Sequence, residues 1–318
     1  MNFKELLQQS IKSEDTEEWL DKVFTRPVGL AFALLWRRLG VHPNTITILS
    51  IILGVAAAWM FYYTDWQHNL CGVVLLMFAN FCDSTDGQLA RLTNQKSFVG
   101  RVLDGLAGDV WFFCIYAALC FRLMPQEIPF TSVKWGLWIW PIAYVAGIVC
   151  HTNQSSLADY YRQIHLFFLK GKDGSELDNS QQQLDTLRTL PRDNYLGRFF
   201  YSNYARYCRN QERRTPRFQA FFRQFKTRGD DANDASEGTW RTALKEESRV
   251  EETFLEGSRP LMKYTNILTF NCRAIVLYAT CLLNVPYVFF LFDLTVFHLI
   301  YIYMHHRHEA LCERLTTE

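Results

Sequence analysis

Residues 81–91 read FCDSTDGQLAR and close an apolar run, NLCGVVLLMFANF, at residues 69–81. A run of that composition reads as part of a membrane span. Two aspartates and an arginine at such a depth are costly and default to a functional reading. A solvated helix end would explain any one of these aspartates, but not the spacing of them all. Asp83, Asp86, Gly87 and Ala90 share one helical face by i, i+3, i+4, i+7 spacing. Gly100 and Asp104 repeat an i, i+4 pattern on the next apolar segment. Two helices joined by a short connection are expected to be antiparallel neighbours, so Asp83, Asp86 and Asp104 should converge, with Asp109 further along. Carboxylates brought together repel one another and lose hydration unless a cation compensates. Oxygen ligands of this kind suit Mg²⁺ or Mn²⁺, and paired ions suit in-line displacement at phosphorus. Gly87, Ala90 and Gly100 leave room beside the carboxylates, and Arg91 can offset phosphate charge. The residues alone therefore predict a divalent-metal phosphoryl-transfer site at the edge of a membrane.

Working outward, the sequence predicts an all-α integral membrane protein with six transmembrane helices. It has 318 residues, of which 49% are hydrophobic and 15% aromatic. Spans are expected at about residues 44–64, from 68 into the opening motif, at 97–122 and at 133–150. Two more lie within residues 263–305, broken near NVPY. Before them, PVGLAFALLW (residues 27–36) is too short to cross. With Trp19, Leu20, Val23 and Phe24 it reads as an N-terminal interfacial amphipathic helix. The expected regions are 1–42, interfacial; 43–168, spans one to four; 169–260, a helical cytoplasmic insert; 261–305, spans five and six; and 306–318, a tail. Nine cysteines without a CxxC pair give neither a disulfide framework nor a zinc site.

Within the insert, GKDGSELDNSQQQ and TRGDDANDASEG read as turns or linkers. Between them, residues 188–228 hold eleven Lys or Arg against Asp193 and Glu212, interleaved with aromatics. That block suits an anionic membrane surface better than a nucleic acid. Lys and Arg also mark cytoplasmic loops, which places both termini and the opening motif on the cytoplasmic side. Arg122 and Lys134 flank an external loop, against that rule.

The full spacing, D-x2-D-G-x2-A-R-x8-G-x3-D in DSTDGQLARLTNQKSFVGRVLD, resembles the CDP-alcohol phosphotransferase family, also called CDP-alcohol phosphatidyltransferases. HPNTIT before the first span is similar to that family's usual start. The resemblance covers roughly residues 20–165 and 261–305 and leaves the insert unexplained. It implies a CDP-activated alcohol donor, a hydroxyl acceptor, release of CMP, two divalent cations (Mg²⁺ or Mn²⁺), the lipid bilayer and a homodimer. It implies no nucleic acid beyond the CDP moiety. Asp83, Asp86, Asp104 and a fourth aspartate would be metal ligands, the fourth also general base. Gly87, Ala90, Arg91 and Gly100 would contact nucleotide and phosphates. The family's fourth aspartate would fall at 108, where this chain has Gly108; the carboxylate is Asp109. On a regular helix Asp109 points about 140° away from Asp104. A π-bulge permitted by Gly105 and Gly108 is expected to restore the facing.

Further candidates are weaker. His151, Gln154, Ser155, Asp159 and Arg162 form one stripe, and Asn266, Thr269 and Arg273 another. Of these, His151, Asp159, Asn266 and Arg273 are expected at the acceptor pocket, with Arg273 facing phosphate or an acidic partner. His305, His306 and His308 read as a solvated terminal cluster. The donor is expected to be CDP-diacylglycerol and the acceptor of inositol type, in phospholipid or sphingolipid synthesis. The alternatives are a soluble CDP-headgroup donor with diacylglycerol or ceramide as acceptor, and, in another class, a cation transporter using intramembrane carboxylates.

Overall fold

The computed structural model describes residues 7, 13, 15–18, 21–95, 98–233 and 239–317. Trp19 and Leu20 of the expected interfacial helix lie outside them. Among the described residues the regular structure is helical, apart from one isolated bridge between Glu127 and Lys134. In chain order the helices are α1 (Arg26–Arg38), α2 (Pro43–Tyr62), α3 (Trp66–Leu92), α4 (Phe98–Leu123), α5 (Ile139–Ala143), α6 (Thr152–Lys170) and α7 (Ser180–Thr189). They continue as α8 (Tyr195–Arg214), α9 (Pro216–Asn233), α10 (Thr239–Ser258), α11 (Met262–Ile267), α12 (Phe270–Leu282), α13 (Tyr287–Leu294) and α14 (Val296–Thr317). The chain divides into two compact units: residues 1–153 with 270–298, and residues 154–269 with 299–318.

Among the described residues, three helices are long and apolar enough to cross a membrane: Pro43–Phe61, Val102–Leu123 and Tyr287–Thr317. Six were expected, and the shortfall has local causes. The helix through the opening motif is 27 residues long but carries charge at its end. The stretch expected as span four changes winding, from a 3₁₀ turn at Gly136–Trp138 through α5 to a π-helix at Tyr144–His151. Helix α12 is only 13 residues long. The break expected at NVPY is present, and Asn284 turns the chain there with a left-handed φ of 57°.

In the first unit, the starts of α2 and α3 follow from their sequence. Pro43 occupies the first turn of α2, where its missing N–H costs nothing, and His42 Nδ1 accepts the Asn44 N–H at 3.2 Å. Asp65 caps α3 by accepting the His68 N–H at 3.0 Å. Helices α3 and α4 both pack mainly on α2 and touch each other little. The expectation that they would be face-to-face neighbours is thus corrected: α2 holds them. Gly54 makes this possible, since a Cβ there would lie 2.0 Å from the buried Trp111 ring. The core around it includes Phe61, Leu76, Trp111, Ile115, Leu119 and Phe289. Helix α1 buries Gly29, Leu30 and Ala33 and leaves Val23, Phe24, Phe32 and Leu35 exposed beside it.

Arg122 explains its own departure from the charge rule. It is 2% exposed and donates to Phe61 O and Asn69 Oδ1, both at 2.8 Å, to Asn284 Oδ1 at 2.8 Å and to Cys281 O at 3.4 Å. A cation placed on the last carbonyls of α2 and α12 compensates the exposed dipoles of both helix ends. Arg122→Met should therefore cost about 3 kcal/mol, because four acceptors lose a charged donor. A lowered midpoint of thermal unfolding in detergent checks this.

The second unit is built on aromatic packing. Phe168 stacks among Phe221, Phe225 and Phe254, with centroids 4.3–5.8 Å apart. The Glu309 carboxylate accepts the Arg217 and Phe218 N–H groups at 2.9 and 3.3 Å, so α14 caps the start of α9. The linker expected over residues 227–238 is helical as far as Asn233; residues 234–238 lie outside the described residues. The one at 171–183 gives way to α7 at Ser180, where Asn179 caps the helix.

Of the histidine cluster expected to be solvated, His306 is exposed, but His305 is half-buried and His308 buried. His308 is 1% exposed and stacked on Tyr161, with centroids 4.0 Å apart, and the Tyr161 hydroxyl meets His305 Nδ1 at 2.7 Å. Helix α14 runs on to Thr317 and packs its end into this unit instead of trailing away as a tail.

Candidate active site

The first unit gathers Asp83 and Asp86 from α3 with Asp104 from α4, one carboxylate oxygen of each lying within 4.8 Å of the others. Asp86 is buried, Asp83 half-buried and Asp104 exposed, so the group opens on one side. The Thr47 hydroxyl of α2 donates to Asp86 Oδ2 and fixes that carboxylate. Arg26 places positive charge near Asp83, and Arg91 does so near Asp86. Asp83 Oδ1 is buried with no hydrogen-bond partner. Three carboxylates with an unsatisfied buried oxygen are what a hard divalent cation would need as ligands, and the residues present fit one.

Gly87, Ala90 and Arg91 follow on the same helix. A Cβ on Gly87 would meet nothing within 4 Å except Arg91 Nη1 at 3.6 Å, which leaves space over that face. Gly100 lies in the first turn of α4, half-buried.

Asp109 is placed elsewhere. Helix α4 is α-helical throughout Phe98–Leu123, without the expected bulge. Gly105 and Gly108 face open space and crowd nothing, so no packing force widens the helix there. Asp109 lies outside the three-carboxylate group and lines a cavity of about 350 Å³ with Tyr116, Trp140, Tyr144, His151 and Thr152. The π-winding occurs instead at Tyr144–His151, a segment that also lines that cavity.

The residues expected at an acceptor pocket fall into two groups. In the first unit, His151 rests edge-on against Phe112, with centroids 4.5 Å apart, and its Nδ1 is 3.4 Å from the Tyr116 hydroxyl. Tyr116 also donates to Asp293, which is ion-paired with Arg273. Arg273 thus has its acidic partner: both residues are at most 1% exposed, and the guanidinium sits 4.9 Å from the Phe297 ring centroid. In the second unit, Asp159 lines a small polar cavity with Glu176, Asp178 and Tyr204, and Asn266 Oδ1 accepts from Arg162 at 3.3 Å.

Among the participants missed from sequence are Thr47 and Asp293. Thr47 sits in HPNTIT and could have been noticed there. Asp293, in LFDLT, could have been found as the one carboxylate in the last apolar stretch.

Comparison with known proteins bears on the stretch that holds these carboxylates. Residues 40–165 match the CDP-alcohol phosphatidyltransferase family model. The matched stretch is similar to a CDP-alcohol phosphatidyltransferase domain. That stretch contains α2, α3 and α4, and with them Thr47, Asp83, Asp86 and Asp104. It is similar to archaetidylinositol phosphate synthase of Pyrococcus horikoshii, 35% identical over 110 residues, or 35% of this chain and 50% of that protein. It is similar to CDP-diacylglycerol--serine O-phosphatidyltransferase of Bacillus subtilis, 34% identical over 92 residues, 29% of this chain and 50% of that one. It is also similar to CDP-diacylglycerol--glycerol-3-phosphate 3-phosphatidyltransferase of Aquifex aeolicus, 29% identical over 85 residues, 27% of this chain and 45% of that one. The chain spans about half the length of the curated relatives it matches.

Proposed function

We propose that this chain transfers a phosphatidyl or phospho-alcohol group from a CDP-alcohol to an acceptor hydroxyl, releasing CMP. The observation that carries this reading is the convergence of Asp83, Asp86 and Asp104, with Asp83 Oδ1 left unsatisfied. Divalent cations held by these three carboxylates would neutralise the diphosphate and stabilise charge at phosphorus. Thr47 holds Asp86 in place, and Arg91 with Gly87, Ala90 and Gly100 accommodates the nucleotide phosphates. The acceptor oxygen bonds to the distal phosphorus, the bond to the CMP oxygen breaks, and the acceptor proton passes to a carboxylate. We assign that base to Asp109 as the fourth aspartate of the motif, five residues beyond Asp104 on α4, where it lines a cavity outside the three-carboxylate group. Asp109→Asn should then lower kcat by a factor of about 10²–10⁴ while Mn²⁺ binding persists. Loss of Mn²⁺ binding in this variant would make Asp109 a metal ligand instead.

The preferred donor is CDP-diacylglycerol and the preferred acceptor of inositol type. The names of the Bacillus and Aquifex relatives support the first and that of the Pyrococcus relative the second. A membrane location with the site on the cytoplasmic side, and a homodimer, belong to the same proposal. A second reading has its own support. The apolar cavity beside Asp109 would suit a lipid hydroxyl on diacylglycerol or ceramide, with a soluble CDP-headgroup as donor. Incubating the purified chain with a panel of CDP-alcohols and acceptors, and identifying the lipid by mass spectrometry, separates the two. Cation flux into liposomes without any CMP release would instead favour a transporter.

A further inference from the structure

The structure sorts the basic, aromatic block of residues 188–228 into two populations. Phe218, Phe221 and Phe225 are buried in the second unit, so they are not available to a membrane surface as the sequence suggested. The opposite holds at the start of α8. Tyr195 is 80%, Leu196 73% and Phe199 66% exposed. Water gains nothing from three large apolar side chains on one turn, and such a patch marks a contact surface.

The turn is rigidly built. Asn194 caps it by accepting the Gly197 N–H at 2.9 Å. Arg198 ties it to the end of α7, donating to Leu187 O and Leu190 O at 3.2 and 3.3 Å. The inner face of α8 is pinned by Ala205, Cys208 and Gln211, all buried. Its outer stripe runs Leu196, Phe199, Asn203, Arg206, Asn210, Arg213 at helical spacing, apolar first and basic after. Arg192 and Arg209 are exposed beside it, and Asp193 is the sole acid between residues 188 and 211.

We infer that the α7–α8 tip is a membrane anchor: Tyr195, Leu196 and Phe199 enter the interface of an anionic bilayer, and Arg192, Arg206, Arg209 and Arg213 rest on its headgroups. An apolar wedge followed by arginines along one helical stripe is the chemistry of an interfacial helix. A nucleic acid would meet the arginines but leave the wedge in water. This rests on the proposed membrane location, which supplies the bilayer.

The test uses the full chain in detergent, in nanodiscs of zwitterionic lipid and in nanodiscs with an anionic fraction. Trypsin cleavage after Arg192 is followed by fragment mass. Anionic discs should slow it roughly tenfold relative to both other settings, the equivalent of one or two arginines drawn to an anionic surface. Leu196→Ser with Phe199→Ser should abolish that protection while leaving the rate in detergent unchanged, which shows the tip still folded. Equal cleavage in all three settings overturns the anchor. Protection already present in detergent also overturns it, since protein then covers the tip, and so does protection gained by adding RNA instead of anionic lipid. Failure of the chain to enter discs at all would count against the membrane reading itself, a separable outcome.

Discussion

Asp86→Ala is expected to reduce CMP release by at least about a thousandfold, the several kcal/mol of charge stabilisation that metal ligation supplies at phosphorus. Asp86 is the buried member of the group and the one whose orientation is fixed by a second helix. Removing it leaves Asp83 and Asp104 on different helices, with too few oxygens to hold a hard cation. The same geometry predicts a graded partner. Thr47→Val keeps the carboxylate but frees it to turn, so a loss of about 10–100-fold is expected, the usual scale for a residue that orients a ligand. Initial rates of CMP release against Mg²⁺ concentration check both variants. An Asp86→Ala protein retaining a tenth of wild-type activity would mean that the reaction takes place elsewhere.

Arg273→Met should be the most damaging single change to stability. It leaves Asp293 buried beside the Tyr116 hydroxyl without the guanidinium that compensates its charge. An uncompensated buried charge costs about 3–5 kcal/mol. Removing both partners is different, because well-packed apolar side chains replace a buried pair at little cost. Arg273→Met combined with Asp293→Leu should therefore recover most of the lost stability. Thermal unfolding midpoints of the wild type, the two single variants and the double variant give the coupling directly. A single variant as stable as the wild type would show that the pair is not desolvated. The pair also holds Tyr116, which meets His151 on the cavity wall, so activity is expected to fall with stability in the single variants and to return only in part in the double.

Much of the site was legible because helical periodicity is a local property. The spacing of Asp83, Asp86 and Gly87 predicts their common face, and the short interval to Asp104 brings a third carboxylate near them, although α2, not direct packing of the two helices, holds it there. The chain break at NVPY was equally local, a left-handed Asn284 between two apolar runs. What stayed hidden depends on partners far away in sequence. Thr47 and Asp86 are 39 residues apart, and Tyr116 and Asp293 are 177. Arg122 looked like a breach of the charge rule because its acceptors lie on three other segments. The aromatics of the insert looked interfacial because composition does not say which face of α9 is covered, and His308 looked solvated because nothing local announces that the end of α14 is packed. The bulge was placed on the wrong helix for a related reason. Two glycines permit widening, but only packing imposes it, and Gly105 and Gly108 have no neighbour that would.

The most direct test of the phosphotransfer site is CMP release from CDP-diacylglycerol by the purified chain, with and without a chelator, in the wild type and in Asp104→Asn. Release that needs Mg²⁺ or Mn²⁺, stops on chelation, resumes when the ion is restored, and is absent from Asp104→Asn is the predicted result. Release unaffected by the chelator, or undiminished in Asp104→Asn, would contradict a site built on Asp83, Asp86 and Asp104.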